Sequence, residues 1–338
     1  MKNRRIIYIG NNLSGKGYSA TVMETLGNLL TTEGYEIIQS SSKKNSFIRL
    51  LDMIFTTIYY SKKADYVLID TYSTLNFWYA FLISQTCRIL NLKYIPILHG
   101  GNLPSRLNAN PRLCDLIFKN AYKNVAPSKY LFSFLSSKYS HNLITIPNAL
   151  EIENYKFTAR NFENPKLLWV RSFSQIANPN MALKVFFELK KEYPNAELTM
   201  VGPDNSNHMK ECETFAKEIK LKVNFTGLLE KEEWILLSKS HNFFINTSNF
   251  DNMPVSVIEA MALGLPVIST NVGGIPFLFE DQKNTLLVEK EDSSAMANSI
   301  IELMRNLDLT NKIIDQARKD IENFDWQKVK FQWIELLK

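Results

Sequence analysis

The chain has 338 residues, of which 45% are apolar and 22% charged, a balance that is ordinary for a globular protein with buried cores. A chain of this length normally divides into two cores, which excludes a small single module. The longest apolar stretch, from Leu75 to Ile83, is too short to span a bilayer, and the first residues, MKNRRIIYIG, lead straight into a strand-like run. We therefore expect neither a transmembrane segment nor a signal peptide. Three scattered cysteines predict buried free thiols in a cytoplasmic protein: Cys87, Cys114 and Cys212.

Basic residues are concentrated in the first half of the chain. Residues 1–160 hold 19 Lys and Arg against 9 Asp and Glu, whereas residues 161–338 hold 20 against 25. The clusters Lys43–Lys44, Arg49 and Lys62–Lys63 lie around the apolar sequence FIRLLDMIFTTIYY, and such a surface would attract anionic lipid headgroups. Peripheral contact with the inner face of the cell membrane is one interpretation, and an ordinary helix with a solvated face beside a buried one is the other. No nucleic-acid-binding module accompanies the charge, so we expect no nucleic-acid partner.

Apolar strand-like runs alternate with longer helical patterns along the whole chain, which predicts parallel, doubly wound sheets of the α/β class. The strand candidates in chain order are Ile6–Ile9, Tyr66–Ile69, Tyr94–Leu98, Asn124–Ala126, Leu143–Ile146, Leu167–Val170, Glu197–Val201, Val223–Phe225, Asn242–Ile245, Val267–Ser269 and Thr285–Val288. The polar segment Glu151–Pro165 has no periodic apolar face and predicts a linker. A final helix is predicted from Trp326 to Leu337, where apolar residues recur at helical spacing.

The stretch from Phe250 to Pro276, FDNMPVSVIEAMALGLPVISTNVGGIP, is the most informative part of the sequence. It predicts a loop, a helix that begins near Met253–Pro254, a buried strand, and a turn at Gly273–Gly274 where backbone can approach a ligand closely. Two carboxylates, Asp251 and Glu259, lie just before and just inside this helix. The free amides and positive dipole end of a helix favour phosphate, and a nearby carboxylate can accept hydrogen bonds from sugar hydroxyls. The combination indicates a nucleotide-sugar pocket.

This stretch resembles the signature of the retaining glycosyltransferases of family 4, in which two acids separated by seven residues precede an E-A-M-A-x-G-x-P-V run. Here the acids are Asp251 and Glu259, and EAMALGLPV begins at the second acid. The first acid is usually Glu, so Asp251 shortens its reach by one methylene. The resemblance implies the GT-B fold, with two Rossmann-like, doubly wound parallel-sheet domains facing across a cleft. An acceptor-side domain would cover residues 1–155, a nucleotide-sugar domain residues 165–320, and a terminal helix at residues 321–338 would cross back to the first domain.

Further likenesses fall at the carboxyl ends of predicted strands, where open α/β sheets place their ligands. The loop GNNLSGKG, which contains Gly15 and Gly17, resembles the glycine loop that shapes the acceptor side. His99 follows the strand YIPIL, like the family's histidine at the donor sugar. Arg171 ends the strand sequence LLWV, like the family's phosphate-binding arginine, and Gly202 lies in a loop that resembles those flanking the base.

The resemblance implies a hexosyltransferase that uses a nucleotide-diphosphate sugar and a saccharide or lipid-linked saccharide acceptor, in surface polysaccharide or glycolipid synthesis. Arg171 and the helix amides would stabilise the leaving diphosphate, Glu259 would bind ribose, Asp251 the donor sugar, and His99 the sugar near the reacting carbon. Catalysis would then rest on orientation and preset charge. No metal site or further cofactor is predicted, since no cluster of His, Asp or Glu has ligand spacing. The pocket would also be lined by the residues at the helix start, Asn252, Met253, Pro254 and Val255.

One departure from the family concerns the phosphate end of the pocket. The family usually carries a lysine five or six residues after its arginine, whereas this chain reads Arg171-SFSQIANPN and has no lysine before Lys184. We expect that a lysine placed at Ala177 would leave the fold intact.

Two alternative functions stay open at this point. A sugar-nucleotide epimerase or a non-catalytic nucleotide-sugar binder could share the fold and the pocket. A P-loop NTPase is suggested by Gly10-x4-Gly15-Lys16 after the first strand, with Leu68–Asp70 as a weak second motif. Gly17 stands where that motif needs a Ser or Thr hydroxyl for magnesium, which argues against it.

Overall fold

A computed structural model describes residues 4–14, 21–100, 102–204 and 207–338. Its internal contacts divide the chain into a first unit, Met1–Ala149 with Trp326–Lys338, and a second unit, Leu150–Asp325. Each unit contains a six-stranded sheet whose paired strands all run parallel. The predicted α/β class with two parallel sheets is therefore confirmed. The three cysteines are buried free thiols, as predicted.

The sheet of the first unit has the strand order β2-β1-β3-β4-β5-β6. Its strands are β1 (Arg5–Ile9), β2 (Glu36–Ser40), β3 (Tyr66–Thr71), β4 (Tyr94–Leu98), β5 (Asn124–Ala126) and β6 (Leu143–Thr145). Its helices are α1 (Val22–Thr32), α2 (Ser46–Tyr60), α3 (Phe77–Ile89), α4 (Leu103–Ala109), α5 (Pro111–Phe118), α6 (Lys129–Tyr139) and, from the far end of the chain, α14 (Trp326–Leu336). A short 3₁₀ turn lies at Ser140–Asn142.

Alternate residues of β1 supply two separate apolar clusters, because successive side chains of a strand point to opposite faces of the sheet. Ile6 and Tyr8 pack in the cluster that contains side chains of α1 and α14. Ile7 and Ile9 pack in the cluster that contains Met53 of α2 and side chains of α3. Both faces of the sheet are therefore covered by helices, which explains why its central strands read as continuous apolar runs.

Helix α14 belongs to the first unit although it follows the second unit in sequence. Its Trp326 and Trp333 are buried in the cluster that also contains Ile6 and Tyr8 of β1. The indole Nε1 of Trp326 donates a hydrogen bond of 3.1 Å to Glu33 Oε1, at the end of α1. Two large buried aromatic side chains and this hydrogen bond hold the helix to the first unit.

The second sheet has the strand order β12-β11-β10-β7-β8-β9. Its strands are β7 (Lys166–Val170), β8 (Glu197–Val201), β9 (Asn224–Gly227), β10 (Phe243–Asn246), β11 (Val267–Thr270) and β12 (Leu286–Val288). Its helices are α7 (Pro179–Leu189), α8 (His208–Glu218), α9 (Lys231–Ser238), α10 (Val255–Ala262), α11 (Ile275–Leu278), α12 (Ser293–Arg305) and α13 (Leu307–Ile321). Short 3₁₀ turns lie at Ile152–Asn154 and Glu322–Phe324.

The segment Glu151–Pro165 lies within the second unit. Its Ile152 and Tyr155 are buried in the cluster that also contains Val257 and Ile258 of α10. These two side chains anchor the segment to the second unit. They could not be recognised from the sequence, because the segment has no periodic apolar face.

Strand β2 is missing from the sequence predictions, whereas each of the eleven predicted strands overlaps a strand of the structure. β2 is an edge strand that pairs only with β1, and four of its five residues are partly or fully exposed. An edge strand can keep polar residues along its free side. Its sequence, EIIQS, consequently shows neither the long apolar run nor the alternation that marks the other strands.

Candidate active site

The carboxyl ends of β7 and β10 form the topological switch point of the second sheet. The chain runs from β7 through β8 to β9 on one side, then returns to β10 on the other side of β7. Connections leave adjacent strands in opposite directions at such a point, and open α/β sheets bind ligands in the crevice that results. Arg171 directly follows β7, and the loop that carries Asp251 follows β10. The sheet order thus brings together two residues that lie 80 positions apart in sequence.

Arg171 and Asp251 form an ion pair in which Nη2 lies 2.9 Å from Oδ2. Oδ2 is buried and has no hydrogen-bond partner among the described residues. The contact is therefore an ion pair without a well-aligned hydrogen bond. The other oxygen, Oδ1, accepts the backbone amide of Asn252 at 2.9 Å. A guanidinium that is fork-shaped and always charged suits a phosphate. A phosphate at this arginine would share or replace the contact with Asp251.

Glycine residues pack closely against the backbone of Arg171 and of Asp251. Gly202 has φ of +150°, and a Cβ on it would lie 1.8 Å from the carbonyl oxygen of Arg171. Gly273 has φ of +55°, and a Cβ there would lie 2.1 Å from the carbonyl oxygen of Asp251, which also accepts the amide of Gly274 at 3.0 Å. The structure thus shows a close approach of backbone to backbone at Gly273 and Gly274, and the predicted approach of a ligand there remains a prediction. For Gly202, a contact with the base remains a prediction.

Helix α10 begins at Val255, with Pro254 as a cap residue that supplies no side-chain hydrogen bond. The predicted helix start is thus correct to within one or two residues. Asn252, Met253 and Pro254 are buried just ahead of it. This helix end carries the positive dipole, and its cap residue Pro254 supplies no side-chain hydrogen bond, which are features that favour an anion.

Glu259 is 4% exposed on α10 and is held by two side chains that no sequence pattern indicates. The hydroxyl of Tyr155 donates to Oε1 at 2.6 Å, and Nζ of Lys231 lies 2.9 Å from the same oxygen. Burial, and then the charge of Glu259, raise the pKa of Tyr155, so the phenol stays protonated as a donor. Tyr155 lies in the polar segment and Lys231 starts the charged sequence KEEW, so neither carries a local sequence signal.

The position of the family's missing lysine is partly buried in this chain. Ile176 is exposed, but Ala177 is 3% exposed and packs in the core cluster that contains Trp169. Its carbonyl accepts a hydrogen bond of 2.9 Å from the Thr247 hydroxyl. The expectation that lysine at Ala177 would leave the fold intact is therefore wrong, since it would force an ammonium group into an apolar core.

His99 lies in the first unit, directly after β4, and is 5% exposed. Its Nε2 is 2.9 Å from Asp70 Oδ1, which also accepts the Tyr8 hydroxyl at 3.1 Å. The ring of Tyr72 stacks on the imidazole with centroids 5.0 Å apart. An ionised carboxylate can only accept hydrogen bonds, so the contact with Asp70 places a proton on Nε2 of His99. The other ring nitrogen, Nδ1, is left available for a different partner.

A small open pocket lies in the first unit beside this network, at the ends of β1 and β3. Gly10, Asp70 and Met53 are among its lining residues. The second oxygen of Asp70, Oδ2, is buried with no hydrogen-bond partner in the described part of the chain. The switch point of the first sheet is thus lined by a carboxylate oxygen that can accept a hydrogen bond from a hydroxyl group. Gly15 and Gly17 lie outside the described residues.

Residues 151–320, half of the chain, match the family Glycosyl transferases group 1, and the chain belongs to this family. It is 27% identical to an uncharacterized glycosyltransferase of Haemophilus influenzae over 197 residues, which cover 57% of this chain and 54% of that protein. The chain spans about half the length of the curated relatives that it matches.

Two solved structures share the architecture over nearly their whole length. A sucrose-phosphate synthase from Thermosynechococcus elongatus has a TM-score of 0.81 at 17% identity, over 98% of both chains. The Anabaena protein HepE in complex with UDP-glucose has a TM-score of 0.76 at 16% identity, over 98% of this chain and 99% of that one. These likenesses identify the fold as GT-B.

Proposed function

We propose that the protein is a retaining glycosyltransferase of family 4 that moves a hexosyl group from a nucleotide-diphosphate sugar to an acceptor hydroxyl. The observation that carries this proposal is the Arg171–Asp251 pair at the switch point of the second sheet, beside the start of α10. A phosphate-binding cation, an anion-favouring helix end and a hydroxyl-binding acid are what a nucleotide-sugar donor requires. The UDP-glucose complex of HepE, which shares the fold, supports a donor of this class.

The same residues suggest how the donor would be held. Arg171 and the amides at the start of α10 would neutralise the diphosphate and stabilise it as it leaves. Once phosphate engages Arg171, Asp251 would accept hydrogen bonds from hydroxyls of the donor sugar. Glu259 would bind ribose through Oε2, because Oε1 is held by Tyr155 and Lys231. Departure of the diphosphate on the face where the acceptor enters gives retention of configuration.

The acceptor we propose is a saccharide or a lipid-linked saccharide of surface polysaccharide or glycolipid synthesis. The excess of basic residues in the first 160 positions supports work at the inner, anionic face of the cell membrane, with the protein on its cytoplasmic side.

A panel of UDP-, GDP- and ADP-hexoses, with and without saccharide acceptors, tests the proposal by mass spectrometry for sugar transfer and by NMR for sugar configuration. We expect one donor class to yield a glycosylated acceptor whose anomeric configuration matches the donor. An interconverted sugar nucleotide would indicate an epimerase instead, and donor binding without any turnover would indicate a non-catalytic binder.

Turnover is expected to persist in excess EDTA. In the proposed mechanism, Arg171 and the helix amides supply the positive charge that neutralises the phosphate, and a chelator removes neither of them. Initial rates with and without EDTA, after dialysis, are the measurement. An absolute requirement for magnesium or manganese would show that a cation shares the phosphate and would overturn this part of the mechanism.

Asp70→Asn is expected to lower kcat by roughly tenfold or more, because an amide can donate as well as accept and no longer dictates which nitrogen of His99 carries the proton. The pH profile of kcat should change as well, which a purely structural role of Asp70 would not produce. Asp115→Asn is the matched control, since Asp115 also accepts a tyrosine hydroxyl, that of Tyr139 at 2.7 Å, in the same unit. An unchanged rate and pH profile in Asp70→Asn would rule out the positioning role.

A further inference from the structure

The outer face of α2 is apolar and exposed to solvent. Six large side chains on this helix are each half exposed or more: Phe47, Ile48, Leu51, Phe55, Ile58 and Tyr59. At about 100° per residue, their positions fall within an arc of about 120° on one side of the helix. We call these six side chains the α2 outer face.

The opposite side of α2 is the side that packs on the first unit. Arg49, Met53 and Thr57 are buried there, and Met53 lies in the cluster that contains Ile7 and Ile9 of β1. An ordinary surface helix exposes charged and polar residues opposite its buried stripe. The sequence FIRLLDMIFTTIYY thus has a solvated face beside a buried one, but the solvated face is apolar, because most of its large apolar residues are on the exposed side.

Isolated exposed apolar residues are normal on a protein, whereas a contiguous apolar face marks an interaction site. The α2 outer face consists of adjacent turns of one helix, and Phe55 and Tyr59 stack on each other with ring centroids 5.8 Å apart. Helix α3, which packs beside α2, also leaves Trp78 exposed. No element in the described part of the chain buries the α2 outer face.

Charge at the two ends of α2 indicates what covers the face. The exposed pairs Lys43–Lys44 and Lys62–Lys63 flank the helix, and no charged side chain lies within the apolar arc. Arg49 is turned inward, where its guanidinium donates to the carbonyl oxygens of Lys43 and Lys44. An apolar helix face framed by lysines is the pattern of helices that lie in the interface of an anionic membrane.

A second copy of this chain fits the surface less well. A two-fold contact between two α2 helices would be self-complementary, so that lysine pairs of one copy meet lysine pairs of the other. Like charges placed opposite one another disfavour such a contact. Anionic headgroups complement all four lysines at once.

We propose that the α2 outer face docks the protein on an anionic lipid bilayer, with the helix lying in the plane of the interface. With 15 residues, α2 is about 22 Å long. No helix within the described ranges is long and apolar enough to cross a membrane. The six apolar side chains would enter the boundary between headgroups and acyl chains while the lysine pairs contact headgroup phosphates.

Docking through this face would bring the pocket of the first unit close to the membrane. Met53 lies on the inner side of α2 and lines that pocket together with Asp70. The lipid face and the pocket would therefore be separated by about one helix diameter, roughly 10 Å. The closeness of the pocket to the membrane matters only if the acceptor is lipid-linked, so this consequence rests on the proposed function. The docking itself does not rest on the proposed function.

Sedimentation of the full chain with vesicles tests the docking without donor or acceptor. We expect binding to phosphatidylcholine vesicles that contain phosphatidylglycerol, and much weaker binding to phosphatidylcholine alone. Phe47→Ser combined with Phe55→Ser should lower vesicle affinity by about tenfold or more, because binding scales with the apolar area inserted. The matched control combines Phe187→Ser with Phe331→Ser, two phenylalanines that are also exposed but lie on α7 and α14.

The four lysines are tested separately by changing Lys43, Lys44, Lys62 and Lys63 to Gln. We expect that variant to lose the preference for anionic vesicles and the sensitivity to salt. Equal binding by the face variant and the wild type, or an equal loss in the control variant, would overturn the proposal. Self-association that the face variant abolishes, without vesicle binding, would assign the face to a second copy. Turnover with a soluble acceptor should be unchanged in the face variant, so a failure of docking is distinguishable from a failure of the proposed transferase activity.

Discussion

Arg171→Ala is expected to lower kcat/KM by about 100-fold or more, the scale of losing one preorganised donor to a transition-state charge. Arg171 is the cation that follows β7 at the switch point, and the lysine that usually accompanies it in family 4 is absent. Its removal would also leave Asp251, whose side chain is only 10% exposed, without its ion-pair partner. An uncompensated carboxylate would then repel the diphosphate, which adds to the loss of attraction.

Arg171→Lys should restore part of the activity, because an ammonium supplies the charge but cannot reproduce the bidentate fork. Arg305→Ala is the matched control: Arg305 pairs with Glu192 at 2.7 Å in the same unit, on the protein surface. The measurement is steady-state kcat/KM on proteins whose folding is verified by circular dichroism. Near-normal kcat/KM in a folded Arg171→Ala protein would show that the phosphate is held elsewhere.

Glu259→Gln is expected to weaken donor binding by about 1–3 kcal/mol, the range for hydrogen bonds to a charged group. The amide has nearly the shape of the carboxylate and can still accept the hydroxyl of Tyr155, so the fold should survive. It loses the ion pair with Lys231 and the charge that strengthens bonds to ribose. Isothermal calorimetry with the nucleoside diphosphate measures the change in affinity directly.

Two variants separate the roles around this acid. Tyr155→Phe keeps the carboxylate and removes one hydrogen bond, so its effect on affinity should be smaller than that of Glu259→Gln. Glu280→Gln is the control for loss of a carboxylate that pairs with a lysine, since Glu280 contacts Lys283 on the surface. Unchanged nucleotide affinity in Glu259→Gln would rule out the ribose role.

Sequence patterns alone were sufficient for the class of fold and for the acids of the candidate site. Central strands of a parallel sheet are buried on both faces, so their apolar runs are visible without knowledge of their neighbours. Asp251 and Glu259 belong to one loop and helix, and their spacing is therefore readable within a single short stretch. The helix start near Pro254 is local in the same sense, since it depends on proline geometry and on the residues beside it.

Contacts between distant segments were decided only by the tertiary structure. The pairing of Arg171 with Asp251 depends on β10 lying beside β7, and sheet order is not written in the periodicity of either strand. Tyr155 reaches Glu259 across 104 positions from a segment without any periodic signal. The same holds for the α2 outer face, because amphipathic spacing marks two sides of a helix, and only packing against the sheet determines which side is buried.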